Sequence, residues 1–292
     1  MRWHGNAFCG TVNGMLMRLI SLLGLALFGM GPVQLSPPNA SGVAMGHLHY
    51  RVADVDANRK FWVALGGAAT WLGGMQAVKF PGVLVVLEPG PSSGGTNGSV
   101  VNHVAFRVQS FAAVERAGFM VQRLAQFPGV GSVSTPEGER IELFENAATN
   151  LTFTPDRGPT DAVTERHNKP LDVPIAFHHV HLYVPQGADA AAKAWYAQTF
   201  GGVPGKRSNY DAVDLPGINL NFSGQAARQA PTQGRMLDHI GFEIRGLEMF
   251  CRQLEARGVR LDAPYSRSGG QMASAFLTDP WGTTIELTEG LE

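Results

Sequence analysis

From His179 to Gln186 the chain alternates between apolar and polar side chains within the segment FHHVHLYVPQ, residues 177–186. As a strand, this segment places Val180, Leu182 and Val184 on one face and His179, His181 and Tyr183 on the other. The same layout recurs in GHLHYRV from Gly46, NHVAFRV from Asn102 and DHIGFEI from Asp238. His47, His103, His179 and His239 therefore occupy one slot in four similar segments. His47 stands to His179 at nearly the separation at which His103 stands to His239. A second match, AVKFPGVLVVL from Ala77 against AVDLPGINLNF from Ala212, falls at the same spacing. A repeat of this kind sets the fold before any local signal does.

Between these strands the period changes to that of helices. DVDANRKFWVALGG predicts a helix with Asp54 or Asp56 as cap, Phe61 and Trp62 on its apolar face, and Gly66 and Gly67 as its stop. SFAAVERAGFMVQRLAQ, DAAAKAWYAQTFGG and LEMFCRQLEARG predict the helices of the other three units, the last ending at Gly258. Each helix precedes short strand-like runs, which close with VLVVLEP, GERIELFE, GINLNFSG and TDPWGTTIELTE. Each unit is thus one strand, one helix and about three further strands. Residues 91–99, PSSGGTNGS, read as a flexible connection, and residues 147–176 as an aperiodic linker. This divides the chain into a leader (1–42), a first domain (45–146), the linker and a second domain (177–290), two units to each domain.

The leader is set apart by composition. Residues 19–31, LISLLGLALFGMG, form an apolar run behind Arg18, followed by the breaker-rich PVQLSPPNASG. The run is short for a bilayer span but the right size for the apolar region of a secretory signal. Export is expected, with the mature chain starting between Pro32 and Gly42 and keeping no stable membrane span. A net charge of -1 gives no basic excess for nucleic acid. Two cysteines, Cys9 and Cys251, exclude a disulfide framework, and Cys251 reads as a small buried residue on a helix.

With these motifs in view, the chain resembles the vicinal oxygen chelate superfamily, which includes glyoxalase I, the bleomycin resistance proteins and the type I extradiol dioxygenases. The resemblance covers residues 45–290. It implies an α+β fold of four βαβββ modules, paired into two domains, each a curled mixed sheet forming a cup with helices outside. It also implies metal ligands on the first strand of each module, here His47, His103, His179 and His239. The last-strand position falls on Leu84, Glu142, Asn219 and Glu286, with RIELFE and TIELTE matching best. In TIELTE the alternation itself puts Glu286 and Thr288 opposite Ile285 and Leu287. Two histidines and one carboxylate suit Fe(II) or Mn(II), with Zn(II) as the remaining candidate.

Paired half by half, the ligands form one triad of His179, His239 and Glu286 and a second, weaker one of His47, His103 and Glu142. Arg51 and Arg107 lie on the strands of the weaker triad. His181 and Tyr183 are the candidate catalytic groups. Asn219, Asn221, Glu243 and Thr288 line the C-terminal cup, and Arg267 and Gln271 sit on a glycine-hinged loop as candidate substrate contacts. The family's upstream Tyr is replaced by Phe276, no His follows His239, and the fourth glyoxalase ligand is replaced by Leu84 or Asn219. The reading is a metal-dependent enzyme, a dioxygenase-like oxidoreductase or a lyase or isomerase, acting on a small molecule. The alternative is a binding protein that shelters such a molecule. Neither reading excludes a homo-oligomer.

Overall fold

The computed structural model describes residues 35–146, 152–158, 169–267 and 272–291. The predicted signal segment at 19–31 lies outside these residues. Four βαβββ modules follow in order. The first is β1 (Val43–Val52), α1 (Val55–Ala64), β2 (Ala68–Leu72), β3 (Met75–Phe80) and β4 (Val83–Pro89). The second is β5 (Val101–Val108), α2 (Phe111–Arg116), β6 (Gln122–Arg123), β7 (Val130–Ser134) and β8 (Arg140–Glu145). A short strand β9 (Phe153–Pro155) precedes the third, β10 (Ile175–Pro185), α3 (Asp189–Phe200), β11 (Val203–Arg207), β12 (Tyr210–Leu215) and β13 (Ile218–Gln225). The fourth is β14 (Leu237–Ile244), α4 (Leu247–Ala256), β15 (Ala263–Arg267), β16 (Ala273–Thr278) and β17 (Thr284–Glu289).

Local signals account for the helices. Asp54 caps α1 by accepting from the Ala57 amide at 2.9 Å, and Phe61 and Trp62 are the apolar residues it buries. Gly201 ends α3 in the left-handed region, where a Cβ is costly. The helix expected across residues 110–126 stops after Arg116. Its apolar spacing breaks at Gly118, whose φ is +96°, and Gln122 and Arg123 turn into an edge strand. Cys251 is buried on α4, and burial pushes its thiol up to about 11.

The pairing of modules departs from the half-by-half division. One sheet runs β15-β16-β17-β14-β1-β4-β3-β2, and the other β6-β7-β8-β5-β10-β13-β12-β11-β9. The first module thus shares a sheet with the fourth, and the second with the third. Strand β1 lies antiparallel to β14, with His49 opposite His239, and β10 lies antiparallel to β5, with His181 opposite His103. The two halves of the chain are therefore not two separate cups. Each half gives one module to each sheet.

Alternation then sorts every central strand. Leu48, Tyr50, Val52, Val104, Phe106, Val180, Leu182, Ile240 and Phe242 belong to one continuous core behind the sheets. Aromatic contacts tie the backs of the two sheets together. Trp62 lies 5.7 Å from Phe106 and Phe80 lies 4.9 Å from it, while Phe200 lies 4.7 Å from Phe242. The opposite faces carry the histidines and form the cups.

Three expected boundaries also shift. Residues 35–42 are part of the fold: Leu35 is buried, and Asn39 donates to the Phe200 and Gly201 carbonyls at 3.0 and 3.1 Å. The linker contributes β9, which extends the second sheet beyond β11. The 91–99 connection is pinned, since Thr96 is buried and held by the Glu139 carboxylate through both its amide and its hydroxyl.

Candidate metal centres

Cross-half pairing assembles two centres from the same parts. In the first, the strands align Glu286, Gly241 and His47 across β17, β14 and β1. Gly241 makes this possible: a Cβ there would come within 2.0–2.6 Å of the His47 ring, which lies across the glycine to reach the carboxylate. Glu286 Oε2 is 2.9 Å from His47 Nε2 and 3.1 Å from His239 Nε2. Donors bound side by side on an ion at about 2.1 Å stand about 3 Å apart, so these separations suit adjacent coordination positions. His239 Nδ1 faces Asp238 Oδ1 at 2.8 Å, the carboxylate-histidine support that orients a ligating imidazole. His49 stacks on His239 at 4.3 Å, with its Nε2 held by Glu88 at 3.3 Å. The four donor groups of His47, His49, His239 and Glu286 lie within 4.8 Å of one another. His47 turns its Nε2 to Glu286, while its Nδ1 is buried and meets no hydrogen-bond partner among the described residues.

Electrostatics favours a cation there. Burial alone would raise the Glu286 carboxyl, but the hydrogen bonds from His239 and His47 outweigh it and hold it far below the ordinary carboxylate range. Burial lowers His47, and burial with the neighbouring imidazoles pushes His49 down to about 3. Burial also opposes protonation of His239, but Asp238 and Glu286 overcome it and raise His239 above 6.5. Of these three imidazoles His239 is therefore the one that keeps a proton to the highest pH, and a metal competes with that proton. Metal affinity is expected to fall as pH drops, beginning above 6.5, because His239 takes up a proton first and a protonated imidazole has no free lone pair. Titration of Mn(II) binding across the imidazole range checks this, and an affinity flat from about pH 8 to about pH 5 would contradict it.

The second centre draws on β5, β8 and β10. His103 Nε2 lies 3.0 Å from Glu142 Oε1 and 3.3 Å from His179 Nε2, and His179 Nε2 lies 3.8 Å from the same oxygen. His181 groups with His103 and His179, their donor atoms within 4.8 Å of one another; its Nε2 lies on Ser223 Oγ at 2.7 Å, and burial pushes it down to about 3. His178 Nδ1 approaches His179 Nδ1 at 2.8 Å, behind the cluster.

The expected triads are thus redistributed. His239 and Glu286 meet His47, not His179, and His103 and Glu142 meet His179, not His47. The physical cause is strand pairing: each first-strand histidine faces the module that its own strand bonds to. Asn219 lies beside His179, but it accepts from Arg207 Nε at 2.9 Å and donates to Asp214 at 3.2 Å, so its amide is committed. Asn221 is buried beside His181. Glu243 and Thr288 share a cup face with Glu286 but lie one step along. There Glu243 accepts from the Gly290 amide at 2.8 Å and holds the chain end. Arg267 aligns with Ala273 and Glu289, on the opposite face from Glu286, and binds Glu289 at 2.8 Å. Gln271 lies outside the described residues. Tyr183 sits at the rim of the second cup, its ring 5.4 Å from His181. A cleft of about 620 Å³ opens there, lined by Asn102, Arg140, Thr96 and Tyr183. Arg51 lies 3.6 Å from Glu88.

His49, Asp238, Asn102 and Arg140 are site residues that the repeat alone does not single out. An H-x-H pair in two modules marks His49, and an acid or amide before each of two candidate ligand histidines marks Asp238 and Asn102, while no such signal marks Arg140.

Residues 176–287 match the family model described as the Glyoxalase/Bleomycin resistance protein/Dioxygenase superfamily. No curated protein matches the sequence. Among solved structures, a Bacillus subtilis protein with a provisional dioxygenase assignment is similar with a TM-score of 0.58 at 15% identity, over 88% of this chain and 86% of that one. Glyoxalase I from Zea mays is similar with a TM-score of 0.56 at 13% identity, over 85% of this chain and 92% of that one. At such identities the likeness is one of fold.

Proposed function

The chain has the vicinal oxygen chelate fold, with that superfamily's sequence signature in residues 176–287, and from this premise we propose that it is a divalent-metal-dependent enzyme acting on a small molecule with two adjacent oxygens. The observation that carries the reading is the single oxygen of Glu286 shared between His47 and His239. His47, His239 and Glu286 would hold the ion, with His49 beside them, leaving positions open for substrate oxygens. Such an ion supplies Lewis-acid polarisation of those oxygens. Asp238 fixes the ring of His239, and Glu88 holds that of His49. Phe276, aligned with Glu286 and 5.5 Å from the His239 ring, walls the site with an apolar surface. The class of reaction is that of a dioxygenase, lyase or isomerase, and Fe(II), Mn(II) and Zn(II) are the ions this donor set suits.

A second reading, sheltering without chemistry, is favoured by Phe276 and by the buried Leu84 and Val86, which put no acid-base group on those walls. Chelator-stripped protein challenged with catechol and α-hydroxycarbonyl compounds, before and after reloading with each ion, separates the two. Turnover restored by an ion supports the enzyme; metal-independent binding without turnover supports the shelter.

Export belongs to the same proposal. Among the described residues no helix is long and apolar enough to cross a membrane. Cleavage upstream of Leu35 would keep the Asn39 contacts with α3 intact. N-terminal sequencing of periplasmic or secreted protein is expected to begin near Pro32 to Leu35, and a chain starting at Met1 in the cytoplasmic fraction would contradict it.

A further inference from the structure

The two centres share a plan but not a charge. Arg140 and Thr284 each open the last strand of their modules, two residues before Glu142 and Glu286. Asn102 and Asp238 each precede the histidine that supports the carboxylate. The first centre therefore holds Glu286 and Asp238 against imidazoles, with no lysine or arginine paired to either among the described residues. In the second, Glu142 faces a guanidinium: Arg140 Nη1 lies 3.1 Å from Glu142 Oε2, and its Nη2 lies 3.1 Å from Asn102 Oδ1 and 2.8 Å from His103 Nδ1. Asn102 Oδ1 is also 2.7 Å from that nitrogen.

A ligating imidazole binds through one nitrogen and donates a proton from the other to an acceptor. His239 has that acceptor in Asp238. His103 has instead a guanidinium, which carries only donors, and a neutral amide oxygen that the guanidinium also engages. A divalent ion in the second cup would meet a fixed positive charge and a carboxylate already paired. We propose that Arg140 is the built-in cation of the second cup: it occupies the electrostatic place of a metal, so that the chain loads one divalent ion, at the first centre, and the second centre is a latent metal site. The inference rests on the metal-binding reading of the first centre.

The guanidinium side chain is 41% exposed at the rim, so its replacement leaves the core intact. The test counts Mn(II) per chain by electron paramagnetic resonance and elemental analysis after equilibration and desalting. Wild type is expected to hold one ion and Arg140→Thr two, with Mn(II) binding at the second centre tightened by at least roughly 10–100-fold, the size of one supporting-group change. Adding Asn102→Asp should tighten it again, and Arg140→Lys should leave the count at one. In the Glu286→Gln background the count should go from none to one on adding Arg140→Thr, and back to none with Glu142→Gln. Two ions in wild type, or no gain in a folded Arg140→Thr or Arg140→Gln protein, would overturn the proposal. An ion retained by Glu286→Gln alone would sink the first-centre reading as well, which separates the two failures.

Discussion

Glu286→Gln protein is expected to lose its divalent ion, with affinity falling by more than roughly 100-fold. A lost supporting partner alone typically costs about 10–100-fold, and here the ligand itself goes. The substitution keeps size and shape, so the effect is one of charge. Among the described residues, Glu286 is the only group in the first centre that both faces His47 and His239 and carries full negative charge towards them. With Gln, the same oxygen position offers a neutral amide, and the two imidazoles face a site that no longer compensates a dication. Glu142→Gln is expected to leave metal content unchanged, because Arg140 already neutralises that carboxylate. Metal analysis of both variants beside wild type checks the pair; equal loss in both, or loss only in Glu142→Gln, would contradict the assignment.

Dividing the chain is expected to be equally severe for the site. Residues 35–158 carry His47, His103 and Glu142, and residues 169–291 carry His179, His239 and Glu286. Each fragment holds two modules whose backs pack together, through Trp62, Phe80 and Phe106 in one and Phe200 and Phe242 in the other. Neither fragment holds a whole centre, since β1 needs β14 and β5 needs β10. The inner strands would be left as open edges, which seek a partner. Separate fragments are expected to bind no metal, and mixing them should restore both the pairing and the ion. Cleavage within the linker of intact protein should likewise leave the two pieces associated. A fragment of residues 169–291 that binds one ion by itself would contradict this arrangement.

The alternation in GHLHYRV and FHHVHLYVPQ correctly puts His47, His49, His179 and His181 opposite Leu48, Tyr50, Val180 and Leu182, because a strand's period is local. Four modules and most helix ends follow from similarly local signals: the Asp54 cap, and the glycines at 201 and 258. The choice of partner strand is not local. Modules paired in tandem or across the halves bury the same faces and satisfy the same repeat, so the His49-His239 register is invisible along the chain. The error in the triads follows directly from that. Arg140 was legible as a residue but not as a cation in a site, because its role depends on Asn102 and His103 being brought to it by β5.

His47, from the start of the fold, completes the centre of His239 and Glu286 at its end. Metal content of His47→Ala against His179→Ala measures it directly. His47→Ala is expected to come out of purification without its ion and His179→Ala to retain it. Retention by His47→Ala together with loss by His179→Ala would mean that the modules pair half by half, and the account would be wrong.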